Sequence, residues 1–407
     1  MRSCGKVVVV SQHYPPDPST TAAIMAEIAN HLSSGRAVLV VSGSAGSQTS
    51  DPPRSDRPIV IEIRNRMAAK AALIRRAAAE VSFTVRTFLR LLGVLCQGDV
   101  VLTVTAPFML PYAVAAAAKL KRARSALIMH DLFPDVLVMS GLLKPTSLLT
   151  RAIAGANALM FRLLNIVIII GRDTERPLSR YQALKRDKIR FIPNWATLVP
   201  AVRPIRSDNP YRRVHAARFV VGLSGNLGFT HDPLIVFEAA RLLRNESDIH
   251  FLLSGWGMGF EKLKLLQAEA NLPNVTLVGR VDDEDLEPFL AAANIWIIPY
   301  RKNVAGVSVP SRFYNLLAIG RPVILVSEPD AEAAMTVKEK NLGWVVTPDR
   351  PDQLAKTIRA ASRSDDSSIA ERTVVAARDF SVDRAMTSYA GLVDELLGER
   401  KPKESPS

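Results

Sequence analysis

Two series of short apolar segments, each alternating with helical patterns, most strongly constrain the fold of this chain. The first series consists of runs at Val7 to Val10, Val38 to Val41, Val100 to Val104, Leu127 to Met129 and Ile166 to Ile170. Apolar runs of this length without a polar face are typical of strands buried on both sides of a parallel sheet. Helical patterns such as Thr21 to Leu32 separate them. The first series therefore predicts a doubly wound α/β domain.

The alternation restarts after a segment that contains Pro200, Pro204 and Pro210. The second series comprises Phe219 to Leu223, Ile249 to Leu253, Val275 to Val278, Ile295 to Ile298, Val323 to Val326 and Trp344 to Val346. Because prolines interrupt helices and strands, residues 196–216 are interpreted as a linker. We therefore expect two domains, at residues 1–200 and 201–380, then a helix at about residues 381–398 and a tail at residues 399–407. The pattern alone leaves open which domain that last helix packs on.

The positive charge of the chain is concentrated in its first half. The net charge is +13, and residues 1–200 carry 26 Lys and Arg against 12 Asp and Glu, whereas residues 201–407 carry 26 against 27. Such asymmetry indicates that the first half meets an anionic surface, either nucleic acid or acidic lipid headgroups.

Basic and apolar side chains are interleaved between residues 64 and 90. The basic members are Arg64, Arg66, Lys70, Arg75, Arg76, Arg86 and Arg90, and Lys119, Lys121, Arg122 and Arg124 follow further on. This composition is typical of a surface that lies on an anionic membrane, with a solvated helix face as the alternative. No aromatic-rich platform for stacking bases accompanies the charge, so we expect no nucleic-acid partner.

Cysteine and hydropathy point to a cytosolic protein. Cys4 and Cys96 are the only cysteines and lie far apart in the sequence, which excludes a disulfide framework or a zinc cluster built from them. No apolar run reaches the about 20 residues needed to cross a bilayer, and the chain enters its first strand without a signal-peptide core. We expect a cytoplasmic protein that lies peripherally on the inner face of the plasma membrane.

Ligands of open parallel sheets bind beyond the carboxyl ends of the strands, so the loops there are candidate sites. The first of them, Ser11 to Pro16, lacks the G-x-G-x-x-G pattern, which argues against a dehydrogenase. Gly225 and Gly228 follow a predicted strand and precede a helix that begins near Pro233. Glycines at such a place allow phosphate to approach backbone amides at a helix start, and a tight strand-to-helix turn is the alternative.

Arg312 is the strongest candidate for a phosphate ligand. Residues Ser311 to Ala318 are predicted to form a helix, and Arg312 lies in its first turn. A guanidinium is unfavourable at the positive end of a helix dipole, so we expect it there when an anion is bound. A solvent-exposed arginine without a ligand is the alternative.

His130 and Asp131 directly follow the predicted strand Leu127 to Met129, and Phe133 and Pro134 come next. A histidine at the carboxyl end of a strand faces the crevice of an α/β sheet, where it can donate to a sugar hydroxyl or a leaving phosphate. The alternative is a histidine with a purely structural role.

These segments together resemble the retaining glycosyltransferases of family 4, which have the GT-B fold of two facing doubly wound domains. The resemblance is greatest to the subgroup that assembles O-antigen, colanic acid and other exopolysaccharide repeats, and it covers nearly the whole chain. It rests on residues 13–16, 130–135, 192–194, 225–228, 274–281 and 310–322. The stretch from Phe380 resembles the family's closing helix, which crosses back to the first domain.

The resemblance implies roles for particular residues. The implied donor-binding residues are Gly225, Asn226, Gly228, Arg280, Ser308, Ser311, Arg312 and Asn315. The implied catalytic residues are His130, Asp131 and Arg312, and the implied acceptor-side residues are His13, Tyr14, Thr20 and Phe133. The resemblance also implies a nucleotide diphosphate sugar as donor, a lipid-linked saccharide acceptor, retention of configuration, and no cofactor or metal.

The sequence departs from the family at several positions. Two glutamates eight positions apart in many relatives are replaced by Val307 and Asn315, and Asn226 and His231 stand where relatives have Arg and Lys. Asn315 can still bond ribose hydroxyls, because an amide both donates and accepts. Most of the positive charge at the diphosphate must then come from Arg312 and the helix start.

Two further features have competing interpretations. The run Asp282 to Asp285 contains possible metal ligands, but acidic residues that open a helix are the usual complement of its dipole. Arg280 follows a predicted strand and is either a nucleobase-side residue or a surface arginine.

The sequence therefore predicts a metal-independent, hexosyltransferase-like enzyme of cell-surface polysaccharide biosynthesis. The missing glutamates leave a second hypothesis open, a catalytically silent nucleotide-sugar-binding subunit of the same fold. A basic nucleic-acid-binding protein is the third and weakest hypothesis.

Overall fold

The structure, a computed structural model, describes residues 5–17, 19–43, 57–63, 73–212 and 218–398, with the backbone alone for residues 73–77. The described residues form two parallel sheets, each with helices on its faces, which confirms the predicted doubly wound α/β architecture. The predicted basic residues Arg64, Arg66 and Lys70, and the tail at residues 399–407, lie outside the described residues, as does Cys4.

The first sheet has the strand order β3-β2-β1-β4-β5-β6-β7. The chain therefore starts near the middle, adds β2 and β3 on one side of β1, and then adds β4 to β7 on the other side. Its strands are β1 (Val7–Ser11), β2 (Val38–Ser42), β3 (Ile59–Glu62), β4 (Val100–Val104), β5 (Arg124–Met129), β6 (Ile166–Ile169) and β7 (Ile189–Phe191). All pairs are parallel, with Val7 opposite both Val38 and Val100. The central strands β1 and β4 are completely buried, which explains their lack of a polar face.

Two of the helices of the first domain begin with a serine whose side chain caps the first turn. The helices of this domain are α1 (Thr20–Ser33), α2 (Leu73–Val94), α3 (Leu110–Leu120), α4 (Asp135–Met139), α5 (Leu148–Leu163) and α6 (Glu175–Leu178). The Ser19 hydroxyl accepts the Ala22 amide at the start of α1, and the Ser147 hydroxyl accepts the Thr150 amide at the start of α5. These side chains satisfy amides that have no partner inside the helix.

The second sheet has the order β10-β9-β8-β11-β12-β13. Its strands are β8 (Phe219–Leu223), β9 (Ile249–Ser254), β10 (Val275–Val278), β11 (Ile295–Pro299), β12 (Val323–Val326) and β13 (Gly343–Val346). Trp296 is fully buried and its ring lies over Gly222, where a Cβ atom would come within 2.5 Å of the indole. Glycine at position 222 therefore lets the two central strands accommodate the indole.

Seven helices flank the described part of the second sheet. They are α7 (Pro233–Leu242), α8 (Met258–Ala270), α9 (Leu286–Ala291), α10 (Ser311–Ala318), α11 (Glu332–Lys340), α12 (Pro351–Ser362) and α13 (Ile369–Arg378). The α7 start combines an Asp232 side-chain cap with Pro233 in the first turn, where a missing N–H has no consequence.

The last helix, α14 (Val382–Leu397), packs on α1 and on β4 of the first sheet. Its buried residues Met386, Tyr389 and Val393 share one hydrophobic cluster with Val7 and Val100. The chain thus passes between the domains twice, and the two passages are joined where the Ala196 amide donates to the Phe380 carbonyl at 3.0 Å.

Candidate functional site

The carboxyl ends of the two sheets meet at the domain junction. The loop that follows β11 reaches the first domain, where the Leu132 amide donates to the Val307 carbonyl at 3.4 Å. The Gly306 amide donates to Asp173 Oδ2 at 2.8 Å. Because these loops follow β5, β6 and β11, the junction is the crevice in which open α/β sheets bind ligands.

The β8–α7 loop contains the predicted glycines Gly225 and Gly228. Gly225 has φ +135°, which favours glycine, and a Cβ atom there would meet no atom within 4 Å. Asn226 is exposed and forms an isolated parallel bridge with Trp256. The loop thus exposes backbone at the start of a helix, as a phosphate site requires.

A second glycine-rich loop, Gly255 to Gly259, packs against the first. A Cβ atom on Gly255 would lie 2.6 Å from the Gly225 carbonyl oxygen, and one on Gly259 would lie 2.7 Å from that of Leu227. The two loops therefore pack backbone against backbone. This loop was not among the sites predicted from the sequence, although three alternating glycines after a strand are a signal that could have identified it.

Arg280 stacks on the second glycine-rich loop. Its guanidinium carbon lies 5.0 Å from the centre of the Trp256 ring, within the range of a cation–π contact. The prediction that Arg280 is on the nucleobase side stays untested, but the structure places it beside the loop that pairs with Asn226. Trp256 was not predicted from the sequence, because its partner is distant in the chain.

Arg312 lies in the first turn of α10, as predicted. The helix has no side-chain N-cap, and Arg312 is partly buried without a hydrogen bond or ion pair among the residues that the structure describes. Burial lowers the pKa of Arg312, and the nearby carboxylate of Asp283 opposes this. Ser311 is exposed and Ser308 partly buried at the same helix start. An unpaired guanidinium beside uncapped amides is suited to an anion.

His231 supplies no positive charge to this region at neutral pH. Burial, and to a smaller extent the charge of Arg301, lower the pKa of His231 to about 4. Its Nδ1 lies 2.9 Å from the Thr230 hydroxyl, and its ring contacts that of Tyr300 at 5.2 Å between centres. Among the described residues at the start of α10, Arg312 is therefore the partly buried cation that an anion can bind.

The Asn315 amide is directed at the linker. Its Oδ1 accepts the Thr197 amide at 2.7 Å, and its Nδ2 donates to the Thr197 hydroxyl at 3.0 Å. The side chain is buried. In this arrangement the amide satisfies the backbone where the chain enters the second domain, and the bond of Asn315 to ribose hydroxyls stays a prediction.

His130 and Asp131 lie at the carboxyl end of β5, and both of their amides donate to the Thr105 hydroxyl at 3.2 Å. Burial lowers the pKa of His130 to about 4 and raises the pKa of Asp131 to about 6. His130 is therefore neutral at pH 7, and its buried Nε2 has no hydrogen-bond partner within the described chain. The geometry is compatible with the predicted role of a neutral donor or acceptor.

The predicted acceptor-side residues have different environments. His13 Nδ1 lies 2.7 Å from Asp17 Oδ2 at the entrance to α1, and Thr20 is exposed on the first turn. Phe133 packs against Phe108 with ring centres 5.1 Å apart. Tyr14 is 5% exposed and belongs to the core cluster under β1, and its contact with an acceptor stays a prediction.

Ion pairs cross the junction beside a cavity of about 700 Å³. The Glu332 carboxylate accepts the Arg172 amide at 2.6 Å and its guanidinium at 3.0 Å. Arg172 also pairs with Glu339 at 3.0 Å. The cavity is lined from both domains by Asp135, Arg172, Asp173, Arg176, Asn303, Val307, Glu328 and Asp330, among others. Its polar walls and size are suited to a ligand rich in hydroxyl groups.

The acidic run Asp282 to Asp285 opens a single 3₁₀ turn that leads into α9. Asp283 acts on Arg312 through its charge. The run thus lies next to the candidate anion site, at the helix start where acidic residues are expected.

The helices α2, α3 and α5 lie side by side on one face of the first sheet. Their outer surface, here called the basic–apolar face, exposes Val85, Leu89, Leu148, Leu149 and Leu159 together with Arg86, Arg90, Lys119, Arg151 and Arg162. No helix in the described residues has the length and apolarity needed to span a membrane. Nothing is described of the side chains of Arg75 and Arg76.

Comparison with known proteins identifies relatives over most of the chain. Residues 218–364 match the family model described as glycosyl transferases group 1. The chain is 26% identical over 380 residues to the probable glycosyltransferase WbjE of Pseudomonas aeruginosa, covering 91% of this chain and 90% of WbjE. It is 23% identical over 252 residues to the putative colanic acid biosynthesis glycosyl transferase WcaI of Escherichia coli, covering 60% and 61% of the two chains.

Solved structures share the arrangement of both domains. The structure of HepE from Anabaena in complex with UDP matches with a TM-score of 0.69 and 16% identity, covering 96% of this chain and all of the HepE chain. An identity this low establishes the fold alone. Residues 218–364 of this chain therefore match the group 1 glycosyltransferase model, and the chain has the two-domain GT-B architecture that its sequence predicts.

Proposed function

We propose that this protein transfers a sugar from a nucleotide diphosphate sugar to a saccharide acceptor. The observation that carries the proposal is the partly buried, unpaired Arg312 in the first turn of the uncapped helix α10. The charge of Asp283 offsets only part of the hydration that the guanidinium loses on burial, because the pKa of Arg312 stays lowered, and a bound anion would compensate for the rest. The diphosphate of the donor is the anion that the adjacent glycine-rich loops can admit.

The proposed reaction retains the configuration of the sugar and uses no metal. The acceptor hydroxyl oxygen bonds to the anomeric carbon as the diphosphate leaves with the electron pair of its bond to that carbon, and the hydroxyl proton passes to a departing phosphate oxygen. Arg312 together with the α10 amides stabilises the charge of the diphosphate. Fixed donors of this kind need no reorganisation as the charge develops. His130, neutral at pH 7, is placed across the junction to bond the sugar or the leaving group.

The proposed acceptor is a lipid-linked saccharide in cell-surface polysaccharide synthesis. The name of WcaI, which refers to colanic acid biosynthesis, supports this assignment. The basic–apolar face supports attachment to the cytoplasmic surface of a membrane, because its arginines and leucines match anionic headgroups and acyl chains.

A catalytically silent nucleotide-sugar-binding subunit is the second candidate. It is favoured by Val307 and Asn315, which replace two glutamates, and by the engagement of Asn315 with Thr197. Both candidates bind a nucleotide sugar, so turnover separates them.

The test has two stages. Thermal unfolding is first measured with UDP, GDP, ADP and dTDP and with a hexose conjugate of each, since a ligand that binds only the folded state raises its stability. Nucleoside diphosphate release from the best conjugate is then measured with a membrane lipid extract as acceptor. Acceptor-dependent release is expected. Absence of any stabilising nucleotide contradicts the proposed function, and stabilisation without release favours the silent subunit.

A further inference from the structure

Besides Glu328 Oε2, three buried polar atoms at the domain junction have no hydrogen-bond partner among the described residues. They are His130 Nε2, Asp173 Oδ1 and Tyr300 Oη. Their residues follow β5, β6 and β11, so they come from the carboxyl ends of strands in both sheets. A buried polar group without a partner destabilises the fold. Few such groups occur in native proteins, and a bound ligand is one explanation.

Tyr300 lies within electrostatic reach of Asp173 and of Asp131. Burial raises the pKa of Tyr300, and the negative charges of Asp173 and of Asp131, next to His130, raise it further. Tyr300 therefore keeps its hydroxyl proton and is a hydrogen-bond donor at neutral pH. His231 and Thr230 hold the backbone around Tyr300, because the Arg301 amide donates to the Thr230 carbonyl at 3.0 Å.

One oxygen of the Asp173 carboxylate accepts two hydrogen bonds, and the other has no hydrogen-bond partner among the described residues. Oδ2 accepts the Gly306 amide at 2.8 Å and the Glu332 amide at 3.0 Å. Oδ1 lies beside Gly171, where a Cβ atom would come within 2.4 Å of it. Glycine at position 171 thus leaves room for Asp173 Oδ1, the oxygen without a hydrogen-bond partner among the described residues.

The cavity at the junction provides space for a ligand beside Asp173. Asp173 lines it from the first domain, and Val307 and Asn303 line it from the second. Its volume of about 700 Å³ lies within the range of small-molecule sites, about 300–1,000 Å³. A sugar ring with several hydroxyl groups both donates and accepts hydrogen bonds. It therefore matches a carboxylate acceptor, a phenol donor and a neutral imidazole presented together.

We propose that Asp173 and Tyr300 bind hydroxyl groups of the transferred sugar, with His130 completing the polar wall. The inference rests on the proposed function, and it adds a sugar-binding residue, Asp173, from the loop after β6 and a second, Tyr300, from the end of β11. Because the two residues belong to different domains, the sugar is recognised only where the domains meet.

The alternative is that Asp173 only joins the two domains, and Tyr300→Phe separates the two roles. The substitution removes an unpartnered hydroxyl from a buried ring, so the free energy of unfolding is expected to stay equal or to rise. Affinity for the hexose conjugate that the wild type binds best is expected to fall at least tenfold, with affinity for the free nucleoside diphosphate unchanged. Tyr389→Phe, the same change in the core under α14, is the matched control.

Asp173→Asn keeps an oxygen for the Gly306 and Glu332 amides but loses the carboxylate. It is expected to reduce affinity for the conjugate at least tenfold and to leave free nucleoside diphosphate binding unchanged. Glu332→Gln, which weakens the same junction through a carboxylate whose oxygens are both bonded, is the control. Calorimetry with the conjugate and the free nucleotide measures all four variants.

Two outcomes overturn the inference separately. If the wild type binds no nucleotide or conjugate, the proposed function fails and the inference fails with it. If the wild type binds both but Tyr300→Phe and Asp173→Asn bind the conjugate as tightly as the wild type, only the inference fails. Equal loss in Asp173→Asn and Glu332→Gln, with normal binding by Tyr300→Phe, assigns Asp173 to the domain junction alone.

Discussion

Glu332, the first residue of α11, donates its backbone amide across the domain junction to the carboxylate of Asp173 at 3.0 Å. In return, the Glu332 carboxylate accepts the amide of Arg172 at 2.6 Å. This reciprocal exchange has the pattern of a capping box, but here the two partners belong to different domains. Ala331, at the N-cap of α11, makes no side-chain cap bond, so the first domain supplies the cap.

Glu332→Ala is expected to lower the free energy of unfolding by about 1.5–3 kcal/mol, because it leaves the Arg172 amide and guanidinium without their buried acceptor. Glu339→Ala removes the outer partner of the same arginine, and the Glu339 side chain is 50% exposed. It is expected to change stability by about 1 kcal/mol or less. Urea denaturation followed by tryptophan fluorescence measures both. Equal effects would show that the buried pair of Arg172 with Glu332 contributes no more to the free energy of unfolding than the exposed pair with Glu339.

Arg312→Ala is expected to weaken binding of the best nucleoside diphosphate about 10- to 150-fold, since a hydrogen bond to a charged group contributes about 1.5–3 kcal/mol. Binding of the corresponding nucleoside is expected to change little. Calorimetry with both ligands measures the difference, and Arg241→Ala, an exposed arginine on α7, is the control. Equal losses for the two ligands would remove Arg312 from the phosphate site.

His130→Ala is expected to lower kcat at least about 100-fold, the usual size of an acid–base contribution, with little change in affinity for the free nucleoside diphosphate. The residue lies on the first domain, so its contribution is expected mainly as the bond breaks. Nucleotide-release kinetics and calorimetry measure the two quantities. Unchanged turnover in a folded variant would return His130 to a structural role.

The stability of the wild type is expected to decrease as pH falls from about 6.5 to 4, in part through His231. Burial holds the pKa of His231 near 4 in the folded state, against about 6.5 in the unfolded chain, so within this window only the unfolded chain binds the proton. His130 acts in the same direction, and Asp131, with its pKa raised to about 6, acts in the opposite direction.

His231→Asn is expected to flatten this decrease, and His31→Asn, at an exposed position of α1, is the control. Urea denaturation at pH 7.5, 6 and 5 gives the slopes. A slope in His231→Asn as steep as in the wild type would show that His231 does not stay neutral in the folded protein.

Wild-type protein is expected to bind anionic but not neutral vesicles, with weaker binding at high salt because exposed charges are screened. Arg86→Gln with Arg90→Gln is expected to weaken binding about 30-fold, since each charge near the surface contributes about 1 kcal/mol. Replacing Arg75 and Arg76 as well is expected to abolish it. Arg241→Gln with Arg244→Gln, on the second domain, is the control. If the wild type ignores anionic vesicles, the basic–apolar face is a solvated surface.

Most strands could be predicted because they are apolar on both faces and lie inside the sheets. The two that were not predicted, β3 (Ile59–Glu62) and β7 (Ile189–Phe191), lie at opposite edges of the first sheet. Their residues are exposed or only partly buried. These two strands have only four and three residues, which is too short for a clear strand pattern.

The candidate site was predictable where one loop forms it. Gly225, Gly228 and Arg312 lie where strand and helix patterns placed them, because a strand end and a helix start are local features. The contacts of Asn315 with Thr197 and of Tyr14 with the core under β1 were not predicted, since they are defined only by tertiary packing. Asp173 was not predicted for the same reason, as its partners lie across the junction.

The crossing of α14 reverses the order in which the two domains can be completed during synthesis. The ribosome finishes the first sheet at Phe191, but the residues of α14 that cover Val7 and Val100 are made about 200 residues later. At the usual 5–20 residues per second, that interval is about 10–40 s. When α14 is made, the second domain, whose last helix α13 ends at Arg378, already has its full set of strands, whereas the first domain has kept an uncovered apolar face since Phe191. The N-terminal half is therefore synthesised first but completed last.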